Sequence, residues 1–450
     1  MNTSKAGTHR PAAAQNGFTR RGLLRLAGSS LGLALAQGLL PGVSRASVES
    51  ALETVSFSAP ARRPTYIHVF LYGGPSELGG NLTNLADIQA ASLNLYPTSQ
   101  VTATANGFWE QAGGAVMENL VASGDMSVYR TIYRRKDDNK GHDKSIVQNL
   151  NGNLDINGPG FAATLAAILT TNGVIDPDTA TLPVISMAGE SQVFSMGDLE
   201  LSPVLRPVSM DSSLNNPYSR ENNSALPAGG DETLDQLADL VGNARGAFRH
   251  RQALEAFNRR RVLADFIATL DVNNVPAGVS YPANNPAADR LRAAVAIAAH
   301  NPDTFFINLG NAGLGGWDAH SQAIPTYTRN MTLLMEALQA AMAHLKATGM
   351  DDRVIINVFG DFGRNVNLND SQGWDHGNNQ NLFTLGGRAY RSLGRVVGTT
   401  ELTGSSANNR LFTAPTSGSE EYEPFSIAST LLGYFGVRNP EVLTGEPVMT

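Results

Sequence analysis

The sequence contains no cysteine. That excludes a disulfide framework, a thiolate metal ligand and a cysteine nucleophile together. Basic residues are also in deficit, 33 against 40 acidic ones. A negative surface repels nucleic acid and anionic membranes, so neither is expected as a general partner, although a local basic pocket stays open. No apolar stretch reaches the roughly 20 residues that a membrane span needs. Histidine is scarce, with eight in 450 residues, so imidazoles that cluster carry information. No internal repeat is visible.

What is present begins with a targeting segment. Thr19-Arg20-Arg21-Gly22-Leu23-Leu24-Arg25 precedes a moderately apolar stretch from Leu26 to Leu40, and Ser44-Arg45-Ala46 is a small-x-small processing site. The paired arginines resemble a bacterial twin-arginine export signal; an ordinary secretory signal or an uncleaved anchor is the alternative. Residues 1–46 are read as a signal peptide, with the twin-arginine translocase as export partner and the periplasm or the exterior as destination. Their removal takes away six basic residues and no acidic ones, leaving 27 basic against 40 acidic and a net charge of −13.

The remaining residues, 47–450, read as a single α/β unit with insertions near 78–114 and 200–232. Strand-like apolar runs recur at Tyr66–Leu71, Ser127–Ile132, Pro183–Met187, Phe305–Leu309, Val354–Phe359 and Leu382–Leu385. Several end in glycine or a polar turn, as buried strands that feed active-site loops do. Helical spacing fills the intervals. Leu234 to Leu270 is long enough for two helices, and Leu334, Leu338, Ala341 and Leu345 mark one buried stripe over Met331–Lys346. Gly349 supplies its stop. Four prolines among serines and asparagines make 200–232 a long surface loop or lid.

Chemistry concentrates in the last third. Gly316-Trp317-Asp318-Ala319-His320 follows one strand, Asp361 follows another, and Asp375-His376 comes soon after. A carboxylate and an imidazole two residues apart can reach one cation across a tight turn, and ligands in open α/β sheets sit beyond the carboxyl ends of strands. Three such groups point to a mononuclear or binuclear metal site. The plainer readings are that Asp318 caps the next helix with His320 on the surface, and that Asp361 and Arg364 stiffen their turn. In the metal reading Arg364 clamps an anionic oxygen. The charged run Arg134–Lys144 is either a solvated loop or an anion-binding edge that brings His142 to the same site. Gly73-Gly74-Pro75-Ser76 is either a plain turn or a close backbone approach with Ser76 as ligand or nucleophile.

These motifs together resemble the bacterial domain of unknown function 1501 family: Gly-Trp-Asp-x-His, a strand ending in Gly-Asp-Phe-Gly-Arg, the following Asp-His, and Gly-Gly-Pro-Ser after the first strand. That family is similar in fold to the alkaline phosphatase and sulfatase superfamily. The resemblance implies a three-layer α/β/α sandwich that holds one or two divalent cations at the carboxyl edge of its sheet. It implies Asp318, His320 and His376 as ligands of one metal and Asp361 as ligand of a second, with Asp375 beside them. Ser76 and Glu77 stand where the superfamily has a first-strand aspartate, and Phe362 where a histidine would accompany Asp361. The expected cofactor is a divalent metal, zinc first, with calcium, magnesium or manganese as alternatives. The expected function is metal-dependent hydrolysis of phosphate or sulfate esters on a small-molecule or polysaccharide substrate. The rival is a non-catalytic binding or assembly protein of the cell envelope on the same fold; a mutase- or transferase-type reaction on carbohydrate is a third possibility.

Overall fold

The computed structural model describes residues 48–91, 96–97, 100–138, 140–215, 230–243, 260–405 and 410–450. The signal-peptide reading of residues 1–46 therefore lies outside the described residues, as do 216–229 of the expected lid. The chain divides after Thr54. In the first unit the helix Val48–Leu52 is described; the second, Val55–Thr450, carries everything that follows.

All six apolar runs become strands. In chain order the strands are β1 (Thr65–Leu71), β2 (Met126–Tyr133), β3 (Val184–Ser186), β4 (Val208–Ser209), β5 (Phe306–Asn308) and β6 (Val354–Gly360). Then come the two-residue β7 (Gly363–Arg364) and β8 (His376–Gly377), β9 (Asn379–Gly386), β10 (Val396–Val397), and the hairpin of β11 (Thr400–Ser405) with β12 (Arg410–Pro415). Eight of them form one sheet in the order β10-β2-β9-β6-β1-β5-β3-β4. β1 lies parallel between β5 and β6, with Ile67 opposite both Ile307 and Ile356. β9 alone in this sheet runs against its neighbours β6 and β2.

β1 is buried along its whole length, so both faces of the sheet are covered, as a parallel sheet requires. The alternation of its side chains tells the layers apart. Ile67, Val69 and Leu71 enter a core shared with Leu291, Val295, Leu334, Leu338 and Ala341. Tyr66 and His68 point the other way, among Leu150, Phe161, Ile427 and Leu431. The flanking helices are thus α1 (His142–Asn151), α2 (Phe161–Thr171) and α5 (Phe425–Tyr434) on one face, with α3 (Pro286–His300) and α4 (Ala323–Ala347) on the other. This is the three-layer α/β/α arrangement expected from the sequence.

Helix boundaries follow local chemistry. Asn285 accepts from the N–H groups of Ala287 and Ala288 to cap α3, with Pro286 at its first position. α4 buries Leu334, Leu338 and Leu345, each worth roughly 1.5–3 kcal/mol, and stops at Gly349 with φ +67°. Among the described residues of 78–114 the helical pieces are short, yet Leu78, Leu82, Ile88, Phe108 and Trp109 are buried in the main core. Of residues 200–232, Pro203–Leu205 form a short turn and Val208–Ser209 supply edge strand β4.

The topology matters most at one edge. The parallel strands β1, β2, β5 and β6 all deliver their carboxyl ends there. Because β9 runs backwards, its beginning lies at that same edge, and the residue pair just before it is β8. His376 is thereby brought beside loops that belong to four other strands.

Candidate metal centre

Two glycines make room for the centre. After β1 the backbone turns through Gly73 (φ +114°) and Gly74 (φ +61°). A Cβ on Gly73 would lie 2.6 Å from the Asp318 nitrogen, and one on Gly74 2.7 Å from the Phe362 ring. Only glycine fits positions so strained and so close to neighbours. Their N–H groups both donate to Asp361 Oδ1 at 3.0 Å, which fixes this fully buried carboxylate at the end of β6.

Four side chains then converge. One ligand atom from each of His142, Asp318, His320 and His376 lies within 4.8 Å of the other three. Asp318 Oδ1 stands 3.0 Å from His320 Nε2, 3.4 Å from His142 Nε2 and 3.9 Å from His376 Nε2. The Nε2 atoms of His320 and His376 are 3.1 Å apart. Donors held about 2.0–2.1 Å from a tetrahedral zinc are separated by about 3.3–3.5 Å, so these separations bracket one coordination sphere.

The outer ring nitrogens decide what the inner ones can do. His142 Nδ1 faces Asp361 Oδ2 at 2.6 Å. His376 Nδ1 faces the carbonyl of Lys140 at 2.6 Å, and His320 Nδ1 lies 3.5 Å from Asp375 Oδ1. An acceptor on Nδ1 places the proton there and turns the Nε2 lone pair inward, the arrangement that metal-bound histidines use. His142 Nε2 is buried and has no hydrogen-bond partner. An unpartnered lone pair beside a carboxylate and the Nε2 atoms of two further imidazoles fits a cation.

Electrostatics agree. Burial and then the Arg364 charge push His376 down to about 4, so its imidazole is neutral at physiological pH. The bond to Asp361 raises His142 above its ordinary value despite burial. For Asp318, burial opposes ionisation but is outweighed by Arg364, with help from His142 and His320, and its pKa is lowered. Asp318 and His320 are about half exposed, so the centre opens to solvent on their side, whereas the Phe362 ring walls it behind, 4.5 Å from His376 and 4.7 Å from His142.

The structure sorts the residues expected from sequence into layers. His142, Asp318, His320 and His376 form the cluster. Asp361 and Asp375 stand behind His142 and His320 rather than in the cluster, so the binuclear expectation has no second set of converging ligands among the described residues. Arg364 is buried and its N–H groups reach the carbonyls of Gly73, Gly74 and Trp374, Asp318 Oδ1 and His320 Nε2. Every guanidinium N–H is engaged, so a clamp on a substrate oxygen gives way to the orienting of Asp318 and His320. Ser76 is buried, and its Oγ accepts from the Leu78 N–H at 3.3 Å, which caps the short turn Glu77–Gly79.

Sequence reasoning leaves the roles of three contributors unread. The Lys140 carbonyl carries no side-chain signal at all. Phe362 was noticed only as a substitution, although the glycines on either side of Asp361-Phe362 hinted at close packing. Glu77 is fully buried, with Oε2 accepting from the Arg364 N–H at 3.0 Å and Oε1 from the Thr413 hydroxyl at 2.9 Å. Burial raises its pKa from 4.5 to about 7. A group whose folded pKa is raised favours folding at low pH and loses that contribution as pH rises through the folded value. At about 1.4 kcal/mol per unit, the loss amounts to about 3 kcal/mol between pH 4.5 and 8. Glu77→Gln, with its amide toward Thr413 and its oxygen toward Arg364, should flatten the stability profile over that range in urea titrations. A variant that parallels the parent from pH 5 to 8 would remove the assignment.

Comparison with known proteins now adds a family. The family described as "Protein of unknown function (DUF1501)" matches residues 63–416. The chain belongs to it. No curated protein matches by sequence. Among solved structures, this DUF1501 chain is similar to a 2-O GAG sulfatase, with 10% identity and TM-score 0.34 over 84% of this chain and 71% of the other. It is also similar to the lipoteichoic acid synthase LtaP from Listeria monocytogenes, with 10% identity and TM-score 0.32 over 89% and 79%. The phosphonate monoester hydrolase from Silicibacter pomeroyi follows, with 12% identity and TM-score 0.28 over 86% and 77%.

Proposed function

We propose that this protein is a metal-dependent hydrolase of phosphate or sulfate esters, exported through its twin-arginine signal and working outside the cytoplasm. The observation that carries the reading is the repeated tautomer device: two imidazoles, His142 and His376, each hydrogen-bonded through Nδ1 to an acceptor, present Nε2 to the same point as His320 Nε2, beside Asp318. Three nitrogens and one carboxylate oxygen favour zinc over the oxygen-preferring magnesium and calcium. When bound there, zinc supplies Lewis acidity toward an ester oxygen and lowers the pKa of a water. The chain's own residues do the rest. Asp361 and the Lys140 carbonyl hold His142 and His376 in orientation, Arg364 fixes Asp318, and Phe362 keeps water from the rear of the site. The exposed side, at Asp318 and His320, is where a substrate enters. No helix among the described residues is long and apolar enough to cross a membrane.

The test is metal analysis of the purified protein, followed by assays with an aryl sulfate and an aryl phosphate. About one divalent ion per chain and cleavage of at least one ester are expected. Absence of metal after supplying zinc, calcium, magnesium and manganese in turn would end the proposal. Metal without cleavage of either ester would return the non-catalytic alternative.

A further inference from the structure

Beside the centre lies a groove of about 490 Å³, lined by Tyr133, Arg134, Arg135, Asp138, Lys140, Asn378, Thr403, Phe412 and Thr413. Its lining holds three cations to one carboxylate, in a chain whose overall charge is −7. Two of those cations are matched: Arg135 pairs with Glu421 and Lys140 with Asp138. Arg134 is different. It is 1% exposed, and its terminal nitrogens donate to two neutral amide oxygens, Gln148 Oε1 at 2.7 Å and Asn149 Oδ1 at 2.6 Å. Its Nε–H has no partner. Asp137, Glu423 and Asp361 act on it from a distance. Its guanidinium carbon lies 5.7 Å from the Phe425 ring centroid, and a buried guanidinium with no counter-ion in direct contact is expensive to hold.

The groove adjoins the metal centre through two shared contacts. Lys140, which lines it, gives its carbonyl to His376. Asn149, which holds Arg134, donates to the carbonyls of Gly360 and Asp361. We infer that this groove binds an acidic group of the substrate, separate from the ester at the metal, with Arg134 as its buried counter-charge and Arg135 at its rim. This rests on the hydrolase reading for its purpose but not for its chemistry. Of the two ways to satisfy Arg134, a substrate anion also engages the exposed Arg135 at the rim of the groove, whereas an internal water shared with the unpartnered Glu423 Oε2 does not.

The experiment titrates metal-free full-length protein with tripolyphosphate by calorimetry, so that it succeeds or fails independently of metal binding and hydrolysis. Binding should weaken as salt rises. It should fall a few-fold in Arg135→Ala, roughly the size of one solvent-exposed charge contact, and vanish in Arg134→Gln, with thermal melts recording that each variant is folded. Asp318→Ala, which disables the metal centre, should bind as the parent does. No heat with the parent, or equal affinity for parent and Arg135→Ala at low salt, would overturn the groove assignment. If Arg134→Gln does not fold, Arg135→Ala and the salt dependence still decide. If the groove binds and the protein takes up no metal, the hydrolase reading fails alone.

Discussion

Alanine at position 376 should drop the metal content of the purified protein from about one equivalent per chain to background, and ester cleavage with it. The same result is expected for Asp318→Ala and His142→Ala, because each removes one of four donors from a single sphere. Asp375→Ala is the informative contrast. Its carboxylate stands behind His320 at 3.5 Å, so its loss should weaken affinity by about 10–100-fold or less without abolishing it. Fluorescent zinc-chelator competition measures both cases. The sign of the pH dependence follows from the imidazoles. His376 is neutral above about 4 and sets no limit near neutrality. His142 holds its proton to a higher pH than an ordinary histidine, so metal uptake should weaken as pH falls through its titration and recover above it. Equal zinc affinity in the His376→Ala variant and the parent would dissolve the centre, whatever the esterase assays show.

Much of the scaffold could be read from sequence because buried parallel strands declare themselves as apolar runs. Tyr66–Leu71 and Val354–Phe359 are covered on both faces, so their hydrophobicity has no polar alternation to blur it. The long helix ending before Gly349 was equally plain. Direction was not legible. Leu382–Leu385 reads as a strand of either sense, and only the pairing shows that β9 opposes β6 and β2. That reversal is what carries His376 to the edge where the cluster forms, so its place there could be suspected from its neighbours Trp374 and Asp375 but not read from the sequence.

The site was legible as a set of residue types and illegible as a hierarchy. Asp318, Asp361 and Asp375 look alike in sequence, each a carboxylate beside glycine, aromatic or histidine. What separates them is burial and direction. Asp361 is enclosed and saturated by two glycine N–H groups and His142, whereas Asp318 is half exposed and faces three imidazoles. Arg364 illustrates the same point. An arginine at a strand end suggests anion recognition, yet the folded chain surrounds it with backbone carbonyls that no side-chain pattern announces. His142 lies in a charged stretch whose solvated reading was as natural as the functional one, and α1 turns it toward the centre.

Asp361 offers the sharpest test of that hierarchy, through two variants that should part company. Asp361→Ala leaves the buried N–H groups of Gly73 and Gly74 without acceptors and frees His142 Nδ1. At about 1–3 kcal/mol for each unsatisfied buried donor, the variant should lose about 2–6 kcal/mol of stability. Asp361→Asn keeps the oxygen that serves the two glycines, with its amide nitrogen facing His142 Nδ1. An N–H group there forces Nδ1 to accept, which moves the imidazole proton to Nε2 and removes the inward lone pair. The asparagine variant should therefore fold with nearly the parent's urea midpoint while losing zinc affinity about 10–100-fold. Nitrogen-15 shifts of the His142 ring would report the exchanged tautomer directly. An asparagine variant that binds zinc as tightly as the parent would mean that Asp361 braces the glycine turn and nothing more, because the tautomer argument leaves it no way to do both.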